Sequence, residues 1–337
     1  MNDWRIYRGV GEPHDGVQRL PPPPPWRDFA ASERDAAADT DPSTARRLGF
    51  QRTLVENYAP RPAETDAVNA ALYLRRPLLA TGNPGTGKST LAYAVAHELG
   101  LGRVLRWPIV SRSTLRDGLY RYDAIGRLQD VQLDRAQGES GSQTATSGIG
   151  SYIRLGPLGT ALLPSDVPRV LLIDELDKSD LDLPNDLLNA LEEGEFAIPE
   201  LERIADREPS VQVLTDDGRK VTVTGGRIAC TTFPFIVLTS NGERDFPAPL
   251  LRRCVQLELE PPGEEQLKSM VEAHLGGAGA TEGRDLIDRF LEREPGEVIA
   301  ADQLLNALYL TQHTPHAERL TRERIASLLM RPLDRSR

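Results

Sequence analysis

The chain has 337 residues, enough for two or three domains with a sizeable core. Its 40 Lys plus Arg against 50 Asp plus Glu give a net charge of -10, which disfavours non-specific binding to nucleic-acid phosphates or acidic membranes, though a local basic groove survives that test. Two cysteines, Cys230 and Cys254, cannot build a disulfide framework or a four-thiolate zinc site.

The first ten residues are charged and lack the apolar stretch of an export signal, and no run approaches the roughly 18 apolar residues of a membrane span. A cytoplasmic protein is expected. From Met1 to about Phe50 the sequence is polar, with five consecutive prolines (Pro21 to Pro25), and reads as a largely disordered tail. The prolines favour a polyproline II segment, here read as a spacer rather than a docking peptide.

The spacing of Val68, Ala71 and Leu72 predicts a helix over Ala63 to Leu74, stopped by Arg75-Arg76-Pro77. A buried strand follows at Pro77 to Ala80. Next come a glycine-rich turn, Gly82 to Gly87, and a helix from about Lys88 to Leu99 capped by Gly100. Arg103 to Val110 is a second strand, and Arg169 to Ile173 a third, apolar throughout as a parallel strand covered on both faces should be. Between them Gly138 to Gly150 is nearly devoid of apolar residues, a length usual for functional or disordered loops. Pro184 in a first helical turn, followed by Leu187, Leu188 and Leu191 and then Gly194, predicts another helix. Val211, Val213, Val221 and Val223 alternate around Asp216-Asp217-Gly218, the pattern of a β-hairpin with a tight turn. Phe235 to Leu238 and Val255 to Leu259 complete the strands. Beyond Pro261-Pro262 the pattern is helical alone, near Glu264 to His274, Glu282 to Leu291, Ala301 to Gln312 and Thr321 to Leu329.

Gly82-Asn83-Pro84-Gly85-Thr86-Gly87-Lys88-Ser89, followed by Thr90, satisfies G-x-x-x-x-G-K-[ST] between a strand and a helix. Glycines let backbone N–H groups and the helix N-terminus face a phosphate. Lys88 would reach the β and γ phosphates, and the Ser89 hydroxyl would ligate magnesium. Leu171-Leu172-Ile173-Asp174-Glu175 is an apolar strand ending in two carboxylates. Asp174 would hold the metal and Glu175 would deprotonate the attacking water. Asn241, just past the strand FIVLTSN, could orient that water, and Arg252 or Arg253 could reach a neighbour's γ phosphate. Lys88 is committed to its own nucleotide, and neither the phosphate loop nor the end of the Asp174-Glu175 strand holds an arginine, which favours a cation from a second subunit. His313-Thr-Pro-His316 has metal-like spacing, but Pro315 breaks the helix that would align the imidazoles.

GNPGTGKS, LLIDELDK, FIVLTSNGERDFP and LLRRC, in that order, resemble an AAA+ ATPase and most of all its MoxR branch, over about Tyr58 to Leu310. The resemblance implies a three-layer α/β/α P-loop NTPase domain at about residues 51–260, with an insertion near 126–153 and a hairpin near 211–223. A helical lid at 261–337 would follow. It implies ATP and Mg2+ as cofactors, Asn241 as the sensor-1 residue and Arg253 as the arginine finger, with Arg252 second. One departure is that Glu294-Pro295-Gly296-Glu297 offers no sensor-2 arginine. The resemblance further implies a homo-oligomeric ring, usually a hexamer, that remodels a protein client, with a separate von Willebrand factor A domain partner. Two other readings stay open: a nucleic-acid motor like the GTP-driven DNA-restriction translocases, and a nucleotide-dependent assembly scaffold.

Overall fold

The computed structural model describes residues 4–24, 27, 58, 60–136, 148–264, 266–267, 271, 284–291, 301–313, 324 and 328–330. Side chains at 134–136, 301–302 and 312–313 are excepted. Five parallel strands form the central sheet: β1 (Leu78–Thr81), β2 (Val104–Pro108), β5 (Val170–Asp174), β10 (Phe235–Ser240) and β11 (Val255–Glu258). Their spatial order is β11-β1-β10-β5-β2. The register sets Leu79 beside Leu238 and Leu238 beside Ile173, so the phosphate-loop strand and the carboxylate strand are separated only by β10.

Strand residues alternate between two cores, as a sheet covered on both faces requires. Leu78, Ala80, Leu172 and Val237 face helices α1 (Pro62–Leu74) and α2 (Lys88–Glu98). Leu79, Leu171, Ile173 and Leu238 face the other way, toward α6 (Asp182–Glu193) and a second sheet. Helix α1 starts on Pro62, whose missing N–H costs nothing in a first turn, and stops at Arg75 in a left-handed conformation. This is the expected three-layer α/β arrangement.

The second sheet has six short strands in the order β3-β4-β7-β8-β9-β6. They are β3 (Tyr120–Tyr122), β4 (Ile153–Leu155), β6 (Glu195–Ala197), β7 (Ser210–Leu214), β8 (Lys220–Thr224) and β9 (Arg227–Ala229). The expected hairpin is β7 and β8, and it turns tightly at Asp216-Asp217-Gly218, where the Gly218 N–H donates to the Thr215 carbonyl and the Thr215 N–H to the Arg219 carbonyl. The Thr215 side chain reinforces the turn: its hydroxyl accepts the Arg219 N–H and donates to the Asp217 carboxylate. In the inserted region, α4 (Ala124–Ala136) is helical, and 137–147 lie outside the described residues. A third cluster, with Leu286, Ile287, Phe290, Leu304 and Leu308, joins helices α9 (Arg284–Leu291) and α10 (Ala301–His313) of the C-terminal helical portion. The expected helices at 264–274 and 321–329 fall largely outside the described residues, as does the Glu294-Pro295-Gly296-Glu297 segment. No helix among the described residues is long and apolar enough to cross a membrane.

The N-terminal segment departs from expectation. Ile6 and Tyr7 are 1% exposed, and the segment is fastened by two polar side chains far along the chain. Asn69 accepts the N–H groups of Ile6 and Tyr7 and donates to the Tyr7 carbonyl, as a neighbouring strand would. Glu98, at the C-terminal end of α2, accepts the N–H groups of Arg8, Gly9, Val10 and Gly11 at 2.6 to 3.3 Å. Positive φ at Gly9 and Gly11 lets the backbone curl around that carboxylate. A tail reading from composition fails here because two buried apolar side chains, with backbone N–H groups held by Asn69 and Glu98, suffice to order a segment that is polar on average. Farther on, Arg75 donates to the Pro21 carbonyl, and Arg27 donates to the Leu191 carbonyl while stacking on Phe233. The proline stretch is therefore tied to the body on both sides, and residues 28–50 lie outside the described set. Glu98→Ala should lower unfolding free energy by about 2–4 kcal/mol, the cost of stripping the partner from several donors. Denaturant unfolding checks this, and a loss under about 0.5 kcal/mol would show that the segment is not held by Glu98.

Candidate active site

Gly82 has φ 144° and a Cβ there would lie 2.4 Å from the Leu259 carbonyl oxygen, so the loop can enter the turn only as glycine. Gly87 (φ 89°) then opens α2. Lys88 Nζ donates to the carbonyls of Gly82 and Asn83 at 2.7 and 2.8 Å, folding back across the loop that it closes. Burial lowers its pKa, against the opposing pull of the Asp177, Asp174 and Glu175 carboxylates. Thr86 closes the turn with a bond to the Asn83 carbonyl, and Tyr58 lies against Gly87.

Ser89, one residue into α2, donates to Asp174 Oδ1 at 2.8 Å across the sheet edge. Thr239 Oγ1 donates to the same oxygen at 2.8 Å and accepts the Glu175 N–H at 2.8 Å. Asp174 is buried, which by itself raises its pKa, but hydrogen bonds from Arg106, Ser89 and Thr239 reverse the balance and hold it below the usual carboxylate range. Glu175 adopts a left-handed conformation, φ 61° and ψ 50°, shared among the described non-glycine residues only by Arg75. Such a backbone costs about 1–2 kcal/mol and is tolerated because Thr239 pins the N–H and a 3-10 turn starts at the next residue. Its carboxylate is paired with Lys178 at 2.8 Å.

The structure brings together Gly82 to Thr90, Asp174 and Glu175, and sets Asn241 beside them at the end of β10. The Asn241 N–H donates to Asp177 Oδ2 at 2.8 Å, and the Glu243 N–H to the same oxygen at 3.1 Å. Arg252 and Arg253 end the short helix α8 (Ala248–Arg253), just before the last strand starts at Val255. Arg252 is exposed, and Arg253 pairs with Glu192 of α6 at 2.5 and 2.9 Å.

Four residues escaped sequence reasoning. Thr239 and Asp177 sit inside the quoted motifs, and each is a polar residue next to a carboxylate strand, a signal that could have been used. Lys178 is visible only as a neighbour of Glu175. Arg106 is the largest omission: its guanidinium lies 2.6 Å from Asp174 Oδ2, so a cation of the same chain does stand at the carboxylate strand. The arginine lies in neither the phosphate loop nor that strand end but comes from β2, the neighbouring edge strand, where an exposed charge is unremarkable.

Residues 78–261, more than half of the chain, match the family of ATPases associated with various cellular activities (AAA). This chain belongs to the AAA family. ATPase activity and nucleotide binding are properties of AAA proteins in general, and the phosphate loop and carboxylates just described lie inside the matched region of this AAA chain. Among solved structures, a cryo-EM reconstruction of Hsp104 in a closed state with ATPγS and FITC-casein is similar at 16% identity and a TM-score of 0.41. That similarity covers 81% of this chain, and the chain spans 46% of the Hsp104 chain. No curated protein matches the sequence.

Proposed function

We propose that this AAA protein hydrolyses ATP at the site built from Gly82–Thr90, Asp174 and Glu175, as a MoxR-like oligomeric ring that remodels a protein client. The observation that carries the reading is the 2.8 Å contact between Ser89 Oγ and Asp174 Oδ1. Two hard oxygens, one from the phosphate-loop helix and one from the carboxylate strand, meet where a small divalent cation is served by one carboxylate, phosphate oxygens and water. Ser89 and Asp174 fit Mg2+ as a donor set, and the ion would neutralise charge on the β and γ phosphates.

The remaining work belongs to the chain. Loop N–H groups and Lys88 bind the phosphates once Lys88 exchanges its carbonyl partners for phosphate oxygens. Glu175, set off the strand by its left-handed backbone, takes the proton of the attacking water after leaving Lys178. Asn241, in a turn fixed by Asp177, orients that water. Arg253, with Arg252 second, serves as a finger toward the next subunit. A head-to-tail interface that closes into a ring, a hexamer in the MoxR reading, supplies that geometry. A protein client and a von Willebrand factor A domain partner complete the proposal, and a cytoplasmic location suits the two unpaired, buried cysteines.

Glu175→Gln keeps size and hydrogen bonding but cannot accept the proton, so it should bind ATP and stall, with turnover reduced at least a hundredfold. Affinity capture on this ATP-held variant should retain a protein client released by ADP. Turnover at the wild-type rate would place the base elsewhere. DNA-stimulated hydrolysis would favour the translocase reading, and ATP-dependent assembly with negligible turnover the scaffold.

A further inference from the structure

Asp174 has no oxygen to spare. Oδ1 accepts from Ser89 and Thr239, both at 2.8 Å, and Oδ2 accepts from Arg106 through Nη2 at 2.6 Å and Nε at 3.2 Å. The strand register explains the reach of the arginine: Pro108 is paired with Asp174, so Arg106 is its diagonal neighbour two residues away, on the same face of the sheet. The donors on the two oxygens differ in what they can do next. A hydroxyl that gives up its bond to a carboxylate can rotate and offer a lone pair to a cation. A guanidinium has no lone pair to offer and never loses its charge, so a divalent ion entering the carboxylate meets repulsion from it.

The two partners are also unequal in freedom. The Asp174 side chain is 9% exposed and held from three directions, whereas the Arg106 side chain is 55% exposed on an edge strand with solvent beside it. The guanidinium is thus the part that can move. We propose that Arg106 is the resident counter-cation of the metal carboxylate: it keeps Asp174 aimed at Ser89 in the nucleotide-free protein, and magnesium enters with nucleotide by displacing it. Arg106 is on this reading a positioning residue that sets how much magnesium the site demands. The inference rests on the assignment of Ser89 and Asp174 to the metal.

The test is binding of a fluorescent ATP analogue to the full chain, titrated with free magnesium and repeated in EDTA. In Arg106→Gln the magnesium concentration giving half of the metal-dependent gain in affinity should fall about fivefold, the scale of a partly exposed ion pair. Affinity in EDTA should not change. Arg106→Lys keeps the charge but loses the two-pronged geometry, and its midpoint should lie between the other two. With a magnesium-dependent wild type, a midpoint in Arg106→Gln that stays put or rises overturns the proposal and leaves the metal assignment standing. Loss of binding in EDTA would instead assign Arg106 to the phosphates and also overturn it. Wild-type binding that ignores magnesium would overturn the metal assignment together with this inference.

Discussion

Lys88→Ala protein should give no measurable heat with ATP at concentrations that saturate the wild type. In the proposed site this side chain supplies the charge for the β and γ phosphates, and two charge-assisted hydrogen bonds of the usual strength amount to a loss of at least a hundredfold. The same lysine bridges the Gly82 and Asn83 carbonyls, so the empty loop also loses an internal clasp. Its melting temperature should nevertheless stay within a few degrees of wild type. Those two carbonyls can turn to water, and the substitution removes a charge that burial already disfavours. Calorimetry and a thermal melt on one preparation separate the two effects. Unchanged ATP affinity in a folded variant would remove the phosphate-loop assignment.

Arg253→Ala should bind ATP almost normally and hydrolyse it on the order of a thousandfold more slowly, the loss typical of a missing arginine finger. Its partners within this chain are Glu192 and the Pro249 carbonyl, neither of them part of the phosphate loop or of the carboxylate strand, as suits a residue acting on a neighbour. Mixing Arg253→Ala with Lys88→Ala protein should recover hydrolysis, because Lys88→Ala subunits still present a finger to an intact phosphate loop. Mixtures shown by mass to have exchanged subunits yet remaining inactive would count against action in trans. Full activity of Arg253→Ala alone would move the task to Arg252, or to Arg106, which already stands beside Asp174 within the same chain.

Strands β1, β5 and β10 were legible because each is a short, largely apolar run, and the phosphate loop because its glycines and lysine stand at a fixed spacing between a strand and a helix. Asp174 and Glu175 followed from their place at the end of such a run. What stayed hidden shares a different physics. Strands β3, β4, β6 and β9 are three residues long, too short for any period to register, and are strands only because neighbours pair with them. The N-terminal segment is held by Asn69 and Glu98, two residues whose polarity reads as surface until the backbone N–H groups they serve are seen. Arg106 depends on strand order: nothing along the chain says that β2 and β5 are neighbours, 64 residues of sequence intervening between Arg106 and Leu171.

Ile173 and Ile236 of the parallel sheet lie in one unbroken core with Val211, Val223 and Ile228 of the smaller sheet. Close-packed interiors transmit strain because they compress little. A pull on the Thr215–Arg219 loop therefore has a stiff path of side chains to β5, whose last residue is Asp174. Mechanically the smaller sheet is welded to the parallel sheet through one core, with no joint between them among the described residues.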